Sequence, residues 1–282
     1  TFPPDLPAGK SGATVIFNVR HLGQNRKVYN QLSKKLTKKF GPTSEESVAV
    51  VGVWLVEGHP LDEHFLQVQG HKFVKLHGEN SNFDSLNFRY SPLGFTQVHS
   101  GVSKLMTDWI CRHTLPGRHI LDLFCGYGLL GLSACTRLDC SQPRVVAGLE
   151  ASNEAVEWAR KNFRRTHRRL SGQRESELPL TGIFKAADLI SPEAPNIAKL
   201  LPKNGNWQVI VDPPRVGLSV GLQKAIVGLR PQQIIHCVCN ADLLFEQAKH
   251  WTTMGYRISK MAVFDMFSGT DHLEVALLLK PR

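Results

Sequence analysis

The fold of this chain is decided by an apolar run that stops at a cysteine, Ile234-Ile235-His236-Cys237-Val238-Cys239-Asn240. A short apolar run with a turn residue behind it is typical of a strand buried in a parallel sheet. We therefore predict a strand over residues 234–238 that turns into a helix at Cys239 and Asn240. In an open α/β sheet, ligands bind beyond the carboxyl ends of the strands, so the Cys239 thiol is expected to face the chemistry.

Two further apolar runs end in polar residues and are expected to reach the same edge of the sheet. They are Leu121-Asp122-Leu123-Phe124-Cys125-Gly126-Tyr127-Gly128 and Val209-Ile210-Val211-Asp212-Pro213-Pro214-Arg215. Strands and helices alternate in this part of the chain, which predicts a doubly wound, mostly parallel α/β sheet. Strands are predicted near 119–124, 145–150, 182–187, 207–212, 233–239, 257–263 and 272–280, and helices near 98–115, 153–165, 220–229 and 241–253.

The first ninety or so residues follow a different pattern. Apolar runs near 13–19, 47–56 and 64–68 predict strands, and residues 28–40 predict an amphipathic helix. We expect a small α+β domain over residues 1–94 and a catalytic domain over residues 95–282. Four lysines lie off the apolar face of the helix, where a solvated surface and phosphate contacts both fit: Lys34, Lys35, Lys38 and Lys39.

The charge of the chain favours a polyanionic partner. Its 34 Lys and Arg residues exceed its 24 Asp and Glu residues by ten, and the basic residues cluster, notably over residues 160–169. Nucleic acid is the leading candidate, and a merely solvated basic surface is the alternative. No apolar run is long enough to cross a bilayer, so no membrane association is expected, and no obligate protein partner is evident.

The cysteines indicate a reducing compartment. Six cysteines without a CxxC pair do not resemble a disulfide framework in a chain of this length. Cys237 and Cys239 could form a metal or redox pair only if the strand stayed regular through Cys239, and it is predicted to end there. We therefore predict no metal site.

The glycines after the first strand of the alternating region indicate a cofactor. Gly126 and Gly128 allow a tight turn where the backbone can approach a ligand at a helix N-terminus. Glu150 ends the next strand, where a carboxylate can accept both hydroxyls of a ribose. The third glycine of the dinucleotide fingerprint is missing, which disfavours NAD and favours S-adenosylmethionine. As an alternative, Glu150 merely caps the helix that begins near Ser152.

The segment Asp212-Pro213-Pro214-Arg215 follows a buried strand. Two successive prolines fix the backbone and remove two N–H donors, so Asp212 is expected to be held at the edge of the sheet. Methyltransferases that act on the amino groups of bases carry a similar acid-Pro-Pro followed by an aromatic residue that stacks on the base. Arg215 takes that place, which disfavours amine chemistry and favours chemistry at a ring carbon.

Taken in order, five motifs resemble those of the RNA (uracil-5-)-methyltransferase family. They are Gly94-Phe95-Thr96-Gln97-Val98, the segments 121–126 and 212–215, Cys237-Val238-Cys239-Asn240, and the segment 265–274. The linkers are most similar to the animal mitochondrial members that act on tRNA and rRNA. The resemblance implies a class I, Rossmann-like methyltransferase fold, S-adenosylmethionine as cofactor, tRNA as substrate with rRNA as a further candidate, and the mitochondrial matrix, although no targeting segment is present in this chain.

The family also implies roles for individual residues. Cys239 matches the thiolate that adds to carbon 6 of uracil, and Glu274 matches the base that removes the hydrogen from carbon 5. The target uridine, in an RNA loop, must be flipped out of its stack. The residues expected to contact the cofactor or the uracil edge, including the two glycines of the turn, are Gln97, Phe124, Gly126, Gly128, Glu150, Asp188 and Asp212.

The chain departs from the family pattern at three places. Ser268-Gly269 replaces the usual Pro-His or Pro-Gln, so the loop that holds Glu274 is expected to be more mobile. Leu129 replaces a polar residue after the glycine turn. The four-cysteine segment of bacterial rRNA-modifying relatives is missing, so no iron–sulfur cluster is expected, and the family's N-terminal RNA-binding module is not part of this chain.

Two other functions are weighed against uracil methylation. A catalytically inactive RNA-binding or chaperone protein on a methyltransferase fold would not need Cys239, Asp212 and Glu274. An RNA cytosine-5 methyltransferase also uses a thiolate, but that family carries a Pro-Cys motif, which this sequence lacks.

Overall fold

The structure is a computed structural model in which two compact units are formed by Thr1–Val74 with Ser91–Leu93 and by Lys75–Tyr90 with Gly94–Arg282. The residues it describes are 11–19, 26–40, 48–57, 65–70, 74–75, 88–91, 94–97, 99–136, 144–172, 179–191, 196–202, 205–270 and 272–282.

The described residues of the first unit form a three-stranded sheet and one helix. Its elements are β1 (Ser11–Val19), α1 (Arg26–Phe40), β2 (Val48–Glu57) and β3 (Phe65–Gly70). Strands β1 and β2 are parallel, and β3 pairs antiparallel to β2. A parallel pair needs a crossover, which α1 provides by packing against β2. All four lysines of α1 that were singled out are exposed.

The second unit contains a seven-stranded sheet with helices between its strands. The short strand β4 (Val74–Lys75) lies at the boundary of the two units, because Val74 belongs to the first and Lys75 to the second. The other elements of the second unit are β5 (Arg89–Tyr90), α2 (Ser100–His113), β6 (His119–Leu123), α3 (Leu129–Thr136), β7 (Arg144–Glu150), α4 (Asn153–Gly172), β8 (Leu180–Ala186), α5 (Ile197–Leu200), β9 (Trp207–Val211), α6 (Val220–Gly228), β10 (Ile234–Val238), α7 (Ala241–Thr253), β11 (Tyr256–Phe264) and β12 (Glu274–Pro281).

The strand order of this sheet is β11-β12-β10-β9-β6-β7-β8. Strands β6 to β10 are parallel, and β12 runs antiparallel to both of its neighbours, β10 and β11. The predicted mostly parallel, doubly wound sheet is therefore confirmed. The order changes direction at β6, so the carboxyl ends of β6, β7, β9 and β10 border the crevice where such sheets bind ligands.

Burial explains why the central strands form. Every residue of β9 and β10 is buried, as expected for strands covered by helices on both faces. Within β10, His236 is buried and accepts a 3.0 Å hydrogen bond at Nδ1 from the indole Nε1–H of Trp251. Burial lowers the pKa of His236 to about 3, so this histidine is neutral.

The structure differs from the sequence-based expectations at three helices. Helices α3 and α5 were not predicted, and α4 extends to Gly172, seven residues beyond the predicted end at 165. Among the residues that the structure describes, no helix combines the length and apolar character that a membrane span requires.

Candidate active site

Cys239 lies one residue beyond β10, where the sequence predicts the strand to end. The side chain of Asn240 caps α7 by accepting the Asp242 N–H at 3.2 Å, and its amide donates to the Arg215 carbonyl at 3.3 Å. The Cys239 thiol is half-buried and donates to the Pro213 carbonyl at 3.7 Å. The thiol thus stands at the sheet edge, tied to the loop that follows β9.

Glu274 is placed opposite Cys239 by the pairing of β10 with β12. The register pairs Val238 with Val275, so the next positions outward on the two strands are Cys239 and Glu274. Glu274 is also the first residue of β12 and pairs with Phe264 of β11. Glu274 therefore lies within the strand predicted over residues 272–280, and the mobility expected of the loop at Ser268 and Gly269 stays a prediction.

The carboxyl group of Glu274 is nearly inaccessible and poorly solvated. The residue is 3% exposed, and its Oε2 has no hydrogen-bond partner among the residues that the structure describes. Burial, together with the nearby charge of Asp212, raises its pKa to about 8, although the Arg215 guanidinium opposes the shift. A carboxylate with a raised pKa is a stronger base than an ordinary one, and this suits a group that must take up a proton.

Asp212 and Arg215 complete the cluster around the thiol. Asp212 directly follows β9, and burial raises its pKa to about 7. Burial raises the pKa of Cys239 to about 11, with further contributions from the charges of Glu274 and Asp212, and Arg215 acts in the opposite direction. Four ionisable groups that influence one another at a sheet edge are typical of a functional site.

Arg215 contacts a residue that the sequence analysis did not select. Its Nη1 lies 3.2 Å from Nε2 of His272 and its Nη2 lies 3.1 Å from Nδ1 of the same ring. His272 precedes β12 by two residues. This contact joins the segment before Glu274 to the loop that follows Asp212.

The turn after β6 contains both predicted glycines and an unusual phenylalanine. Gly126 and Gly128 have φ values of 51° and 88°, and Phe124 has a φ of 59°. A non-glycine residue in this left-handed region is sterically costly and persists only where its surroundings hold it. The turn leads directly into α3, whose first N–H groups have no partner within the helix, and Asp122 accepts one of them, that of Gly131.

Glu150 is held against this turn. Its Oε2 accepts the Gly126 N–H at 3.1 Å, and its Oε1 accepts the Ser152 N–H at 3.0 Å. The cap of α4 comes from Ser152, whose Oγ accepts the Ala155 N–H at 3.2 Å. Each carboxylate oxygen retains a lone pair, so the group can still accept ribose hydroxyls.

Asp122 lies in the motif over residues 121–126 and is a functional candidate that was not predicted. It is 1% exposed in β6, and its Oδ2 accepts the Gly131 N–H of α3 at 2.8 Å. A Cβ atom at Gly131 would lie 2.8 Å from that oxygen, so glycine is required there. Burial raises the pKa of Asp122 to about 7, with smaller contributions from Asp212 and Glu150. An aspartate inside an apolar strand was the available signal.

Two predicted cofactor residues are less closely integrated. Asp188 is exposed, and its Oδ1 accepts the N–H groups of Ile190 and Ser191 at 2.9 and 3.3 Å. Gln97 is half-buried. The roles assigned to both residues stay predictions.

The turn, Glu150 and the start of α3 fit an adenosine-containing cofactor. Glu150 would receive the ribose hydroxyls, and the left-handed turn lets the backbone approach the ligand closely. The thiol cluster lies at the same edge of the sheet, two strands away, because β9 separates β6 from β10. The site can therefore hold a cofactor and a nucleobase side by side.

Comparisons with known proteins show which proteins this chain resembles. The sequence profile of the tRNA (uracil-5-)-methyltransferase family matches residues 72–282. The 23S rRNA (uracil(1939)-C(5))-methyltransferase RlmD of Marinomonas sp. (strain MWYL1) is 32% identical over 203 residues, which cover 70% of this chain and 40% of that protein. The RlmD of Photobacterium profundum is 26% identical over 98% of this chain and 56% of its own length. The chain thus spans about half the length of the curated relatives it matches.

Solved structures show the same fold. Pyrococcus abyssi tRNA (uracil-54, C5)-methyltransferase, in complex with S-adenosyl-L-homocysteine, aligns with a TM-score of 0.61 at 20% identity, over 96% of this chain and 56% of that one. Methanocaldococcus jannaschii Trm5, in complex with adenosine, aligns with a TM-score of 0.54 at 13% identity, over 96% and 72%. The predicted Rossmann-like methyltransferase fold is confirmed.

Proposed function

Because this chain belongs to the tRNA (uracil-5-)-methyltransferase family, we propose that it methylates carbon 5 of uridine in RNA through a covalent adduct with Cys239. The observation that carries the proposal is the placement of Cys239 and Glu274 at facing positions of adjacent strands, with Asp212 and Arg215 beside them. A protein that only bound RNA would need neither the thiol nor the buried carboxyl group.

The reaction needs a nucleophile because carbon 5 of uracil does not take up a methyl group unaided. The thiolate of Cys239 adds to carbon 6, which leaves the electron pair of the former double bond on carbon 5 as an enolate. The thiol must first lose its proton, and the pKa of about 11 makes this costly at neutral pH. Arg215 is the nearby cation that favours the thiolate.

S-adenosylmethionine, when bound, supplies an electrophilic methyl group. We propose that Glu150 binds its ribose and that Gly126, Gly128 and Phe124 line the rest of the cofactor site, with Gln97 and Asp188 as further candidate contacts. Glu150 is already oriented for this role by the N–H groups of Gly126 and Ser152.

Glu274 completes the reaction. Once carbon 5 carries the methyl group, the carboxylate of Glu274 removes the remaining hydrogen from carbon 5 as a proton. The electron pair of that C–H bond restores the carbon 5–carbon 6 double bond, and the thiolate of Cys239 leaves carbon 6. The pKa of about 8 favours this proton transfer.

The substrate that we propose is a uridine in a tRNA T-loop, with rRNA as a further candidate. The names of similar proteins include both RNA classes: a tRNA methyltransferase for uracil 54 and an rRNA methyltransferase for uracil 1939. Since the target must be extruded from its stack to reach Cys239, an unpaired loop is favoured over a duplex. From the resemblance to animal mitochondrial members, we further propose the mitochondrial matrix, which fractionation of cells that express the native gene would test.

A trapping experiment tests the proposal. The protein is incubated with S-adenosylmethionine and a tRNA transcript in which 5-fluorouridine replaces uridine. Fluorine at carbon 5 cannot be removed as a proton, so the adduct cannot resolve, and a protein–RNA band should persist on a denaturing gel. Mass-spectrometric mapping should place the RNA on Cys239 and identify the target nucleotide. A Cys239→Ala variant that still forms the band would refute the mechanism.

A further inference from the structure

Helix α4 carries six basic residues in ten positions, Arg160, Lys161, Arg164, Arg165, Arg168 and Arg169. Arg160 serves the fold, because its Nε and Nη2 donate to the Phe184 carbonyl at 3.1 and 2.7 Å and its Nη1 pairs with Glu157. The guanidinium of Arg160 is therefore engaged within the protein and is not expected to contact a partner.

Four of the remaining residues share one face of the helix. Arg164, Arg165 and Arg168 follow Lys161 by three, four and seven residues, and residues at these spacings lie on the same face of a helix. Arg164 and Arg168 are exposed, and neither forms an ion pair or hydrogen bond with a residue that the structure describes. Like charges at i and i+4 destabilise a helix, so this face is a cost to the isolated protein.

A fifth basic residue, Arg89, is brought to this face by the buried side-chain amide of Asn162. The Asn162 side chain, 1% exposed, accepts the Arg89 N–H at 3.0 Å and donates to the Arg89 carbonyl at 2.8 Å. The same amide oxygen accepts Nη1 of Arg165 at 3.2 Å. Asn162 thus fastens β5 to α4 and brings Arg89 beside Arg165.

The electrostatics of Arg165 reflect this crowding. Its pKa is lowered by partial burial and then by the positive charges of Arg89, Arg164 and Arg168. A group of cations that repel one another on an exposed face gains most from a polyanion that neutralises several at once.

We propose that the face formed by Arg89, Lys161, Arg164, Arg165 and Arg168, here termed the α4 basic face, binds the phosphate backbone of the substrate RNA away from the reacting nucleotide. This inference rests on the proposed function, since it assumes that RNA is the substrate. Helix α4 starts beside the cofactor end of β7 and runs away from it, so Arg164 and Arg168 lie roughly 17 and 23 Å along the helix from its start. The α4 basic face therefore contacts the body of the RNA and not the target loop.

The test compares two double variants that remove equal charge. Arg164→Gln with Arg168→Gln removes two exposed cations of the α4 basic face, and Lys224→Gln with Arg257→Gln removes two exposed cations elsewhere. Affinity for full-length tRNA is measured by filter retention across a salt series, and methyl transfer is measured with radiolabelled S-adenosylmethionine on full-length tRNA and on an oligonucleotide that carries only the target loop.

The first double variant should lose about two units of slope in the log–log salt plot and bind full-length tRNA on the order of tenfold more weakly. Its KM for full-length tRNA should rise, with kcat and the KM for the loop oligonucleotide unchanged, and the control pair should resemble the unaltered protein. Equal losses in both double variants, or an unchanged salt slope in the first, would overturn the inference. If the unaltered protein retains tRNA through Arg164 and Arg168 but methylates no RNA, the proposed function fails and the RNA-binding face stands.

Discussion

The guanidinium of Arg215 lies against both ring nitrogens of His272, at 3.2 Å from Nε2 and 3.1 Å from Nδ1. A neutral imidazole offers only one acceptor nitrogen, so at most one of these contacts is a hydrogen bond. Through this contact, the position of Arg215 beside Cys239 and Glu274 depends on a residue 57 positions away.

We expect Arg215→Gln to make the Cys239 thiol less reactive. Removal of the cation leaves the charges of Glu274 and Asp212 unopposed, which disfavours the thiolate. Alkylation of Cys239 by iodoacetamide at pH 8, followed by peptide mass spectrometry, should slow on the order of three- to tenfold. The peptide is diagnostic because the other described cysteines, Cys111, Cys125, Cys135 and Cys237, are buried.

His272→Ala should produce a smaller change in the same direction, because Arg215 remains but is no longer held. Arg257→Gln removes an exposed charge from β11 and serves as the control. An Arg215→Gln variant whose Cys239 alkylates at the unaltered rate would show that the guanidinium does not act on the thiol.

Glu274→Gln should separate methyl transfer from product release. The variant retains the thiol and the cofactor residues but lacks the base that removes the hydrogen from carbon 5, so it should methylate once and remain attached to the RNA. A denaturing gel with radiolabelled tRNA and S-adenosylmethionine should show a shifted band at near-stoichiometric yield, and Cys239→Ala should show neither band nor methylation. Normal turnover without a shifted band would instead assign the base to another carboxylate, with Asp212 the first to test.

Glu150→Ala should weaken S-adenosylmethionine binding by about 2 to 4 kcal/mol, because charge-assisted hydrogen bonds to both ribose hydroxyls would be lost. It should also loosen the turn, since Gly126 and Ser152 lose their acceptor. Glu150→Gln keeps an acceptor for the turn but not the charge, so its loss of affinity should be smaller. Calorimetric titration measures both variants, and unaltered affinity in a folded Glu150→Ala protein would make Glu150 purely structural.

His236 should make stability depend on pH between about 6.5 and 3. Its pKa is ordinarily 6.5 and falls to about 3 in the folded protein, so below pH 6.5 the unfolded chain binds a proton that the folded one does not. Stability contributed by the neutral histidine is therefore present above pH 6.5 and is lost as pH falls, by about 2 kcal/mol at pH 5.

The carboxyl groups with raised pKa act in the opposite direction, so the comparison is made against His236→Gln, which keeps an acceptor for Trp251. Urea unfolding at pH 7 and pH 5 gives the free energy of unfolding of both proteins. Between pH 7 and pH 5, the difference in this free energy should shift by about 2 kcal/mol in favour of the variant. A difference that does not change with pH would mean that His236 is protonated in the folded state.

The strand ends of the site were predictable because apolar runs stop at polar residues there. Cys239, Asp212 and Glu150 lie where the sequence predicts them, each within one residue of the end of its strand. Helix α3 was not predictable in this way. Its sequence, Leu129 to Thr136, has only two polar residues, Ser133 and Thr136, and six of its eight residues are buried, so it shows no amphipathic pattern.

The contacts that tune the site could not be predicted from local pattern. Arg215 and His272 meet only because β9 and β12 both flank β10, a neighbourhood that sequence spacing does not report. Glu274 lies in the strand predicted over residues 272–280, but its pairing with Phe264 and its place opposite Cys239 depend on the sheet order and could not be read from local pattern.

The reversed direction of β12 has one more consequence. Glu274 lies at the start of β12, and Cys239 lies just after the end of β10. The antiparallel pairing of β10 and β12 therefore sets the distance between these two residues. The segment that connects β11 to β12 takes no part in that pairing. A change in the length of that segment ahead of His272 would therefore leave the spacing between Cys239 and Glu274 unchanged, because strand pairing sets it.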